Sequence, residues 1–414
     1  MSTFQILSAV ICGVAFFGYL NHRFVRLPDA IGITAIGVVA SIGAVVLSHF
    51  DTGLAGEVRS TVASIDFPQL LLHGILGLLL FAGSLHISID DIAKEKWLIL
   101  ALATVGVVVS TVLVSAGFYL VTSWMGMALP LLYCLLFGAL ISPTDPVAVL
   151  AVLTRAGVPK SLETRVAGES LFNDGTGVVI FLTLLELATS QQSFDIQSTG
   201  KLLVTEVLGG TAFGLVAGQL GYLMLRGVDS YAVEILITLA LATSGYAAAD
   251  ALHVSAPIAV VLMGLIVGNR GRAKAMSKET QERLFSFWEV LDELLNLLLF
   301  GLIGLEMMTL TFSATQLVVG VAAIVIVLVA RFLSVSGPIL ATPRLRDISR
   351  PAITIMTWGG LRGGISIALA LSLPSFDGRD LVISTTYAVV IFSILVQAPS
   401  LRYVTERVLA KVKP

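Results

Sequence analysis

Long apolar runs separated by short polar loops dominate this chain. A helix that crosses a bilayer needs about 20 mostly apolar residues. Thirteen stretches qualify, at roughly 4–20, 31–49, 69–89, 97–122, 129–150, 166–189, 202–225, 231–249, 256–268, 288–308, 315–338, 352–374 and 381–400. The ninth is short, and the turn around Asp250 to Ala256 is the least sharply marked boundary. In lipid a backbone N–H or C=O has no water to bond, so such runs are read as helices. The expected fold is an all-α polytopic membrane protein, a single transmembrane domain over 1–414 without a separate soluble domain. The first run has no basic lead ("MSTFQ"), so it reads as a crossing and not as a secretory signal.

Composition agrees. Hydrophobic residues make up 56% of the chain and charged ones 13%, with a mean hydropathy of +0.95. Soluble domains carry about 25% charged residues. A net charge of −2 and the lack of a long basic run argue against a nucleic-acid partner. Cys12 and Cys134 both lie in apolar runs and read as small hydrophobes. Lysine and arginine gather in cytoplasmic loops of membrane proteins. Of the 25 here, all but five fall in loops after odd-numbered runs or in the tail. Arg59, Lys201 and Arg379 follow even-numbered runs, and Arg331 and Arg362 lie inside runs. The asymmetry predicts thirteen crossings of the cell (inner) membrane, with the N-terminus outside and the C-terminus in the cytoplasm.

Thirteen divides into two sets of six joined by a linker helix. The halves, approximately 1–190 and 231–414, would then be inverted repeats, a plan common among transporters. The fifth run contains "SPTDPVAV", with Pro143 and Pro146 around Thr144 and Asp145. The twelfth contains "WGGLRGGIS", with four glycines around Arg362. These are the fifth runs of each half. Interrupted helices at matching positions point to a binding site at the membrane midplane.

Asp145, Glu169, Asp174 and Arg362 all fall within runs. An ionisable group at the bilayer centre costs about 2.5–3.5 kcal/mol or more. At 1.5 Å per residue, Asp174 lies roughly 12 Å into its run and Arg362 about 15 Å into its own. Glu169 and Asn173 are four residues apart, as are Ser170 and Asp174, so each pair shares a helix face. We expect Glu169 and Arg362 to form a buried ion pair, with Asn173 hydrogen-bonded to Glu169. That leaves Asp174 without a dedicated cation. Arg331 is expected to pair locally or to reach the interface. Burial disfavours the charged form of a carboxyl group. Such an acid can take a proton, or release it and hold a cation. Ser170, the Thr144 carbonyl and Asp145 are candidate oxygen ligands; the alternative reading of Asp145 is a cap on the half-helix after it. A site that holds a proton or a cation, but not both, has the chemistry of antiport.

"SPTDPVAV", "GESLFNDGTGVV", "LLLFGLIGLE" and "TWGGLRGGISIALALSLP" together resemble NhaP-like sodium/proton antiporters, in the first subfamily of monovalent cation:proton antiporters. The resemblance implies a thirteen-helix inverted-repeat fold, a homodimer, and a core that moves against a dimerisation domain. By position it makes Asp174 the ion- and proton-binding aspartate and Asn173 the first half of the Asn-Asp pair. Thr144 and Asp145 match the unwound motif, Ser170 the ligand serine, and Glu169 and Arg362 the buried salt bridge. The Asn-Asp form implies electroneutral exchange of one Na+ or Li+ for one H+, a role in pH homeostasis and no cofactor. No lysine lies inside a run to carry a second proton. Several relatives have a glutamate in the third run where this chain reads "LFAGSLHIS", with Ala82 at that place and Ser84 as a polar substitute. This departure leaves K+/H+ exchange open as an alternative. An intramembrane aspartyl protease built on Asp145 and Asp174 is a remote one, since the chain lacks its "GxGD" and "PAL" motifs. A passive cation channel fits less well than a carrier.

Overall fold

The computed structural model describes residues 3–47, 67–189, 196–307, 313–341 and 349–410. Arg344, Arg346, Lys411 and Lys413, which contribute to the charge asymmetry, and Arg59, an exception to it, lie outside the described residues. All regular structure in the described residues is helical. Short segments at Asn21–Val25, Val267–Gly271 and Arg272–Lys274 aside, the helices of the described residues can be grouped into thirteen consecutive units. These are α1 (Thr3–Leu20), α2 (Asp29–Leu47), α3 (Phe67–Leu85), α4 (Ile89–Trp124), α5 (Leu131–Ile141 and Val147–Ala156), α6 (Lys160–Thr189) and α7 (Ile196–Arg226). They continue as α8 (Tyr231–Ala251), α9 (Ala256–Ile266), α10 (Lys278–Glu306), α11 (Ala314–Ala341), α12 (Ser349–Trp358 and Gly364–Leu371) and α13 (Arg379–Ala410). Among the described residues, eight helices are individually long and apolar enough to cross a membrane.

Each unit falls on one of the apolar runs, with local shifts. The sixth helix begins at Lys160 rather than near Val166, because Gly157 (φ 66) turns the chain sharply and Pro159 starts the next helix. The turn between α8 and α9 is closed by Ser255, whose hydroxyl accepts from the Ile258 N–H at 3.4 Å.

Helix faces show what surrounds the molecule. On α11, Val318, Val321, Val325, Val329 and Phe332 are exposed, while Val319, Ala323, Val327, Ala330 and Arg331 are buried. An apolar stripe turned outward and a polar group turned inward is the arrangement that lipid favours.

Two groups of helices result. One packs α1, α2, α3 and α7 through α10 together, and the other packs α4, α5, α6 and α11 through α13. Small residues let backbones meet, as membrane helices require. A Cβ on Gly37 of α2 would stand 3.0 Å from Gly304 Cα of α10, and Ser41 Oγ donates to Gly304 O at 2.6 Å. The interrupted helices both lie in the second group, and α3 and α10 face them from the first.

Candidate functional site

The two interruptions cross. Helix α5 stops at Ile141 because Pro143 and Pro146 cannot continue it. Helix α12 stops at Trp358, where four glycines follow in six residues. The backbone groups freed in one break are satisfied by the other. The Asp145 N–H donates to Leu361 O at 2.9 Å. Arg362 Nη1 donates to Pro143 O at 2.7 Å and also to Ser142 O. A cation thus sits at the carbonyl end of the first half of α5, where the helix dipole favours it. In return, Asp145 lies against Gly363, at the N-terminal end of the second half of α12, where that dipole favours an anion. A Cβ on Gly363 would run into Asp145 Oδ2. Asp145 therefore faces the start of the partner broken helix.

Helix α6 runs beside this crossing. Asn173 is fully buried and stitches α6 to the first break. Its Nδ2 donates to Thr144 Oγ1 at 2.7 Å and to Glu169 Oε1 at 3.3 Å, and its Oδ1 accepts from the Thr144 N–H at 3.2 Å. The bond from Asn173 to Glu169 is the one the helical spacing predicts. Ser170 Oγ donates to Thr144 O. Ser170 is buried behind Thr144 and does not line the cavity described below.

The expected ion pair between Glu169 and Arg362 is not formed. Glu169 pairs instead with Arg331 of α11, a residue expected to pair locally or reach the interface. Arg331 Nη2 donates to Glu169 Oε2 at 2.8 Å, Nη1 donates to Oε1, and Nε donates to Met356 O at 3.3 Å. The physical reason lies in the crossing. Arg362 is drawn to the carbonyls of Ser142 and Pro143, and α11 brings a second arginine to Glu169 in bidentate geometry. Arg362 is 1% exposed, and its Nε and Nη2 have no hydrogen-bond partner among the described residues.

Asp174 is 7% exposed and makes no hydrogen bond or ion pair among the described residues. Asp145, Glu169 and Arg362 are the charged groups that act on it electrostatically. It lies at the inner end of a cavity of about 480 Å³ that Thr144 and Asp145 also line. Lys160, Glu163, Thr164, Ala167, Leu171 and Asp174 line this cavity along one face of α6. The rise of the helix from Lys160 to Asp174 makes it about 21 Å long. His86, Ser88 and Asp91 belong to its mouth, beside Lys160 and Glu163.

The opposite wall comes from α3 and α10. From α3 it is apolar, with Leu76, Leu79, Leu80 and Gly83. Ala82 is fully buried, and Ser84 turns away from the cavity. Its hydroxyl donates to Phe81 O at 2.8 Å and lies against Gly264 of α9. Ser84 is therefore not the polar substitute that the sequence suggested. From α10 come Asp292 and Asn296, which are absent from the candidates read from the sequence. Their signal is two polar residues at i, i+4 spacing in "DELLN", inside the tenth run.

The arrangement neutralises Glu169 internally and leaves Asp174 to be neutralised by whatever comes through the cavity. A proton or a small cation can do this. Among the described residues no group of three or more His, Cys, Asp or Glu side chains converges on a metal-ion position. Hydroxyl, carbonyl and carboxylate oxygens around Thr144 and Asp174 are hard ligands, of the kind a hard cation takes.

Comparison with known proteins agrees with this geometry. The family model for the transmembrane sodium/hydrogen exchanger matches residues 7–407. The Na+/H+ antiporter NhaP of Pseudomonas aeruginosa is 46% identical over 411 residues, covering 98% of this chain and 97% of that protein. The Na+/H+ antiporter NhaH of Halobacillus dabanensis is 33% identical over 388 residues, covering 92% of each. The fold matches that of the sodium proton antiporter MjNhaP1 from Methanocaldococcus jannaschii, with a TM-score of 0.72 and 18% identity over 99% of this chain and all of that one. The buried Asn-Asp pair, the crossed broken helices and these full-length similarities converge, and the chain belongs to the sodium/hydrogen exchanger family.

Proposed function

We propose that this protein exchanges Na+ or Li+ for H+ across the cell membrane, one for one, with both ions competing for Asp174. The observation that carries the reading is the contrast between two neighbouring acids on α6. Glu169 has a full-time partner in Arg331, and Asp174 has none among the described residues. A bare carboxylate is expensive to carry through a low-dielectric barrier. Protonated or cation-bound, Asp174 is neutral and the site can change sides. Empty, it cannot. This asymmetry couples the two fluxes without a further device.

In this reading Thr144 and Asp145 contribute oxygens to the cation directly, Ser170 acts through the Thr144 carbonyl to which it donates, and Asn173, Glu169 and Arg362 hold the site in shape. Arg331 joins that supporting set. The chain crosses the membrane thirteen times, as inverted repeats over 1–190 and 231–414, with the N-terminus outside. The loops at the cavity mouth, before Ile89 and Lys160, follow odd-numbered helices, so the cavity opens to the cytoplasm. The helix group containing α5, α6 and α12 moves against the group containing α3 and α10. Two copies associate through the second of these.

One observation keeps K+ as an alternative cation: α3 brings no side-chain oxygen to the cavity wall. The test is proton flux in liposomes on addition of Na+, Li+ or K+, with Asp174→Asn as control and with an imposed potential. Saturable Na+ and Li+ exchange that Asp174→Asn abolishes supports the reading. Exchange that survives in that variant overturns it. A rate that follows the potential overturns the one-for-one stoichiometry, and a K+ preference changes the substrate.

A further inference from the structure

We propose that Asp292 and Asn296 of α10 supply the cation with ligands from the wall opposite Asp174, so that the cation is bound across the two helix groups and not by one alone. The inference rests on the exchange reading above and adds residues to its site.

Asp292, Asn296 and Leu299 are spaced i, i+4 and i+7 on α10, and all three line the cavity. Leu299 packs on Gly364 at the start of the second half of α12, so this stripe is seated against the crossing. Asp292 is half-buried, and its carboxylate makes no hydrogen bond or ion pair among the described residues. Asp145, across the cavity, acts on it electrostatically. Asn296 is 6% exposed, and its Nδ2 donates to Asp292 O at 2.9 Å. With the amide nitrogen turned back to its own helix, Oδ1 is the atom left to accept or ligate. The cavity thus has one polar wall on α5 and α6, a second on α10, and an apolar wall on α3 between them.

A dehydrated alkali ion needs several oxygens, and Thr144 has most of its hydrogen-bonding capacity committed to Asn173 and Ser170. Oxygens from α10 complete the set. Because α10 belongs to the group against which the core moves, these ligands are present when the cavity is open and are left behind as Asp174 changes sides. Bound cation therefore stays longer on the side where α10 reaches it.

The experiment measures Na+ dependence of exchange in liposomes for the wild type, Asp292→Asn, Asp292→Glu and Asn296→Leu, with thermal unfolding of each as a check on folding. Asp292→Asn and Asn296→Leu are expected to raise the half-saturating Na+ concentration about tenfold, with a far smaller change in maximal rate. Asp292→Glu is expected to recover most of the affinity. High choline chloride shortens the reach of a distant charge, so a rise that disappears there makes Asp292 a long-range attractor and overturns the ligand role. Half-saturation within about twofold of wild type in both Asp292→Asn and Asn296→Leu also overturns it. In the same liposomes Asp174→Asn separates the two claims. If it is inactive while the α10 variants bind normally, only the α10 ligands fail. If it exchanges normally, the site itself fails.

Discussion

Arg331 Nη2 donates to Glu169 Oε2 at 2.8 Å, which joins α11 to α6 across 162 residues of chain. Both side chains are buried, and each is held by further bonds, Arg331 to Met356 O and Glu169 to Asn173 Nδ2. Removing one member of such a pair leaves a lone charge in a dry interior, at a cost of about 3–5 kcal/mol. Glu169→Gln and Arg331→Met are each expected to lower the unfolding temperature of the purified protein markedly. The double variant should recover most of that loss, because it strands no charge. A double variant whose loss equals the sum of the singles would show the two residues to be energetically independent.

Arg362 is buried for a different purpose. Its Nη1 serves two carbonyls, of Ser142 and Pro143, at the broken end of α5. Hydrogen bonds to a charged donor are worth about 1.5–3 kcal/mol each. Arg362→Gln keeps a donor but loses the charge, and Arg362→Lys keeps the charge but loses the planar fork. Exchange is expected to fall in the order wild type, Lys variant, Gln variant, measured as initial proton flux at saturating Na+. A Gln variant at the wild-type rate would show that charge at this helix end is not required.

The breaks and the buried acid Asp174 are legible in the sequence because each violates its surroundings. Proline pairs, clustered glycines and ionisable groups have no place in an apolar helix unless they are used. The partner of Glu169 is not legible. Two arginines, Arg331 and Arg362, lie inside apolar runs, and nothing local to either says which one reaches α6. That choice depends on the crossing of α5 and α12, a tertiary fact. Asp292 and Asn296 escape notice because α10 begins as a charged amphipathic helix, so two more polar residues in it look like its solvated face. Ser84 misleads because the direction of one side chain on α3 depends on α9, whose Gly264 makes room for it.

Gly363 is the position where the two breaks come closest to clashing. Its φ of −125° is open to any residue, so the constraint is space, set by Asp145 Oδ2 and by Asp145 Cβ at 2.9 Å from an added methyl. Gly363→Ala is therefore expected to displace the Asp145 carboxylate and cost about 1–3 kcal/mol of stability, as overpacking does. In an Asp145→Gly background, which removes both the carboxylate and Cβ, the same substitution should cost little. Unfolding temperatures of the four proteins give the coupling directly. An equal penalty in both backgrounds would place the clash elsewhere.

Competition at a single acid fixes how Na+ and pH must trade against each other. A proton on Asp174 occupies the oxygens that the cation needs, so acidification must weaken Na+ binding, and by linkage Na+ must weaken proton binding equally. Below the pH at which Asp174 titrates, each further unit of acid should raise the half-saturating Na+ concentration about tenfold, because one proton is displaced per cation. Above that pH the half-saturating concentration should level off, since the acid is already ionised and more alkali frees nothing. The maximal rate at saturating Na+ should stay nearly constant in the acid range, because enough cation always displaces the proton. Liposome assays with equal pH on both sides, run as Na+ titrations over a pH series, measure the slope. A slope near a hundredfold per unit would require two protons per cation, which a lone Asp174 cannot hold, and a flat line would mean that proton and cation do not share this carboxylate.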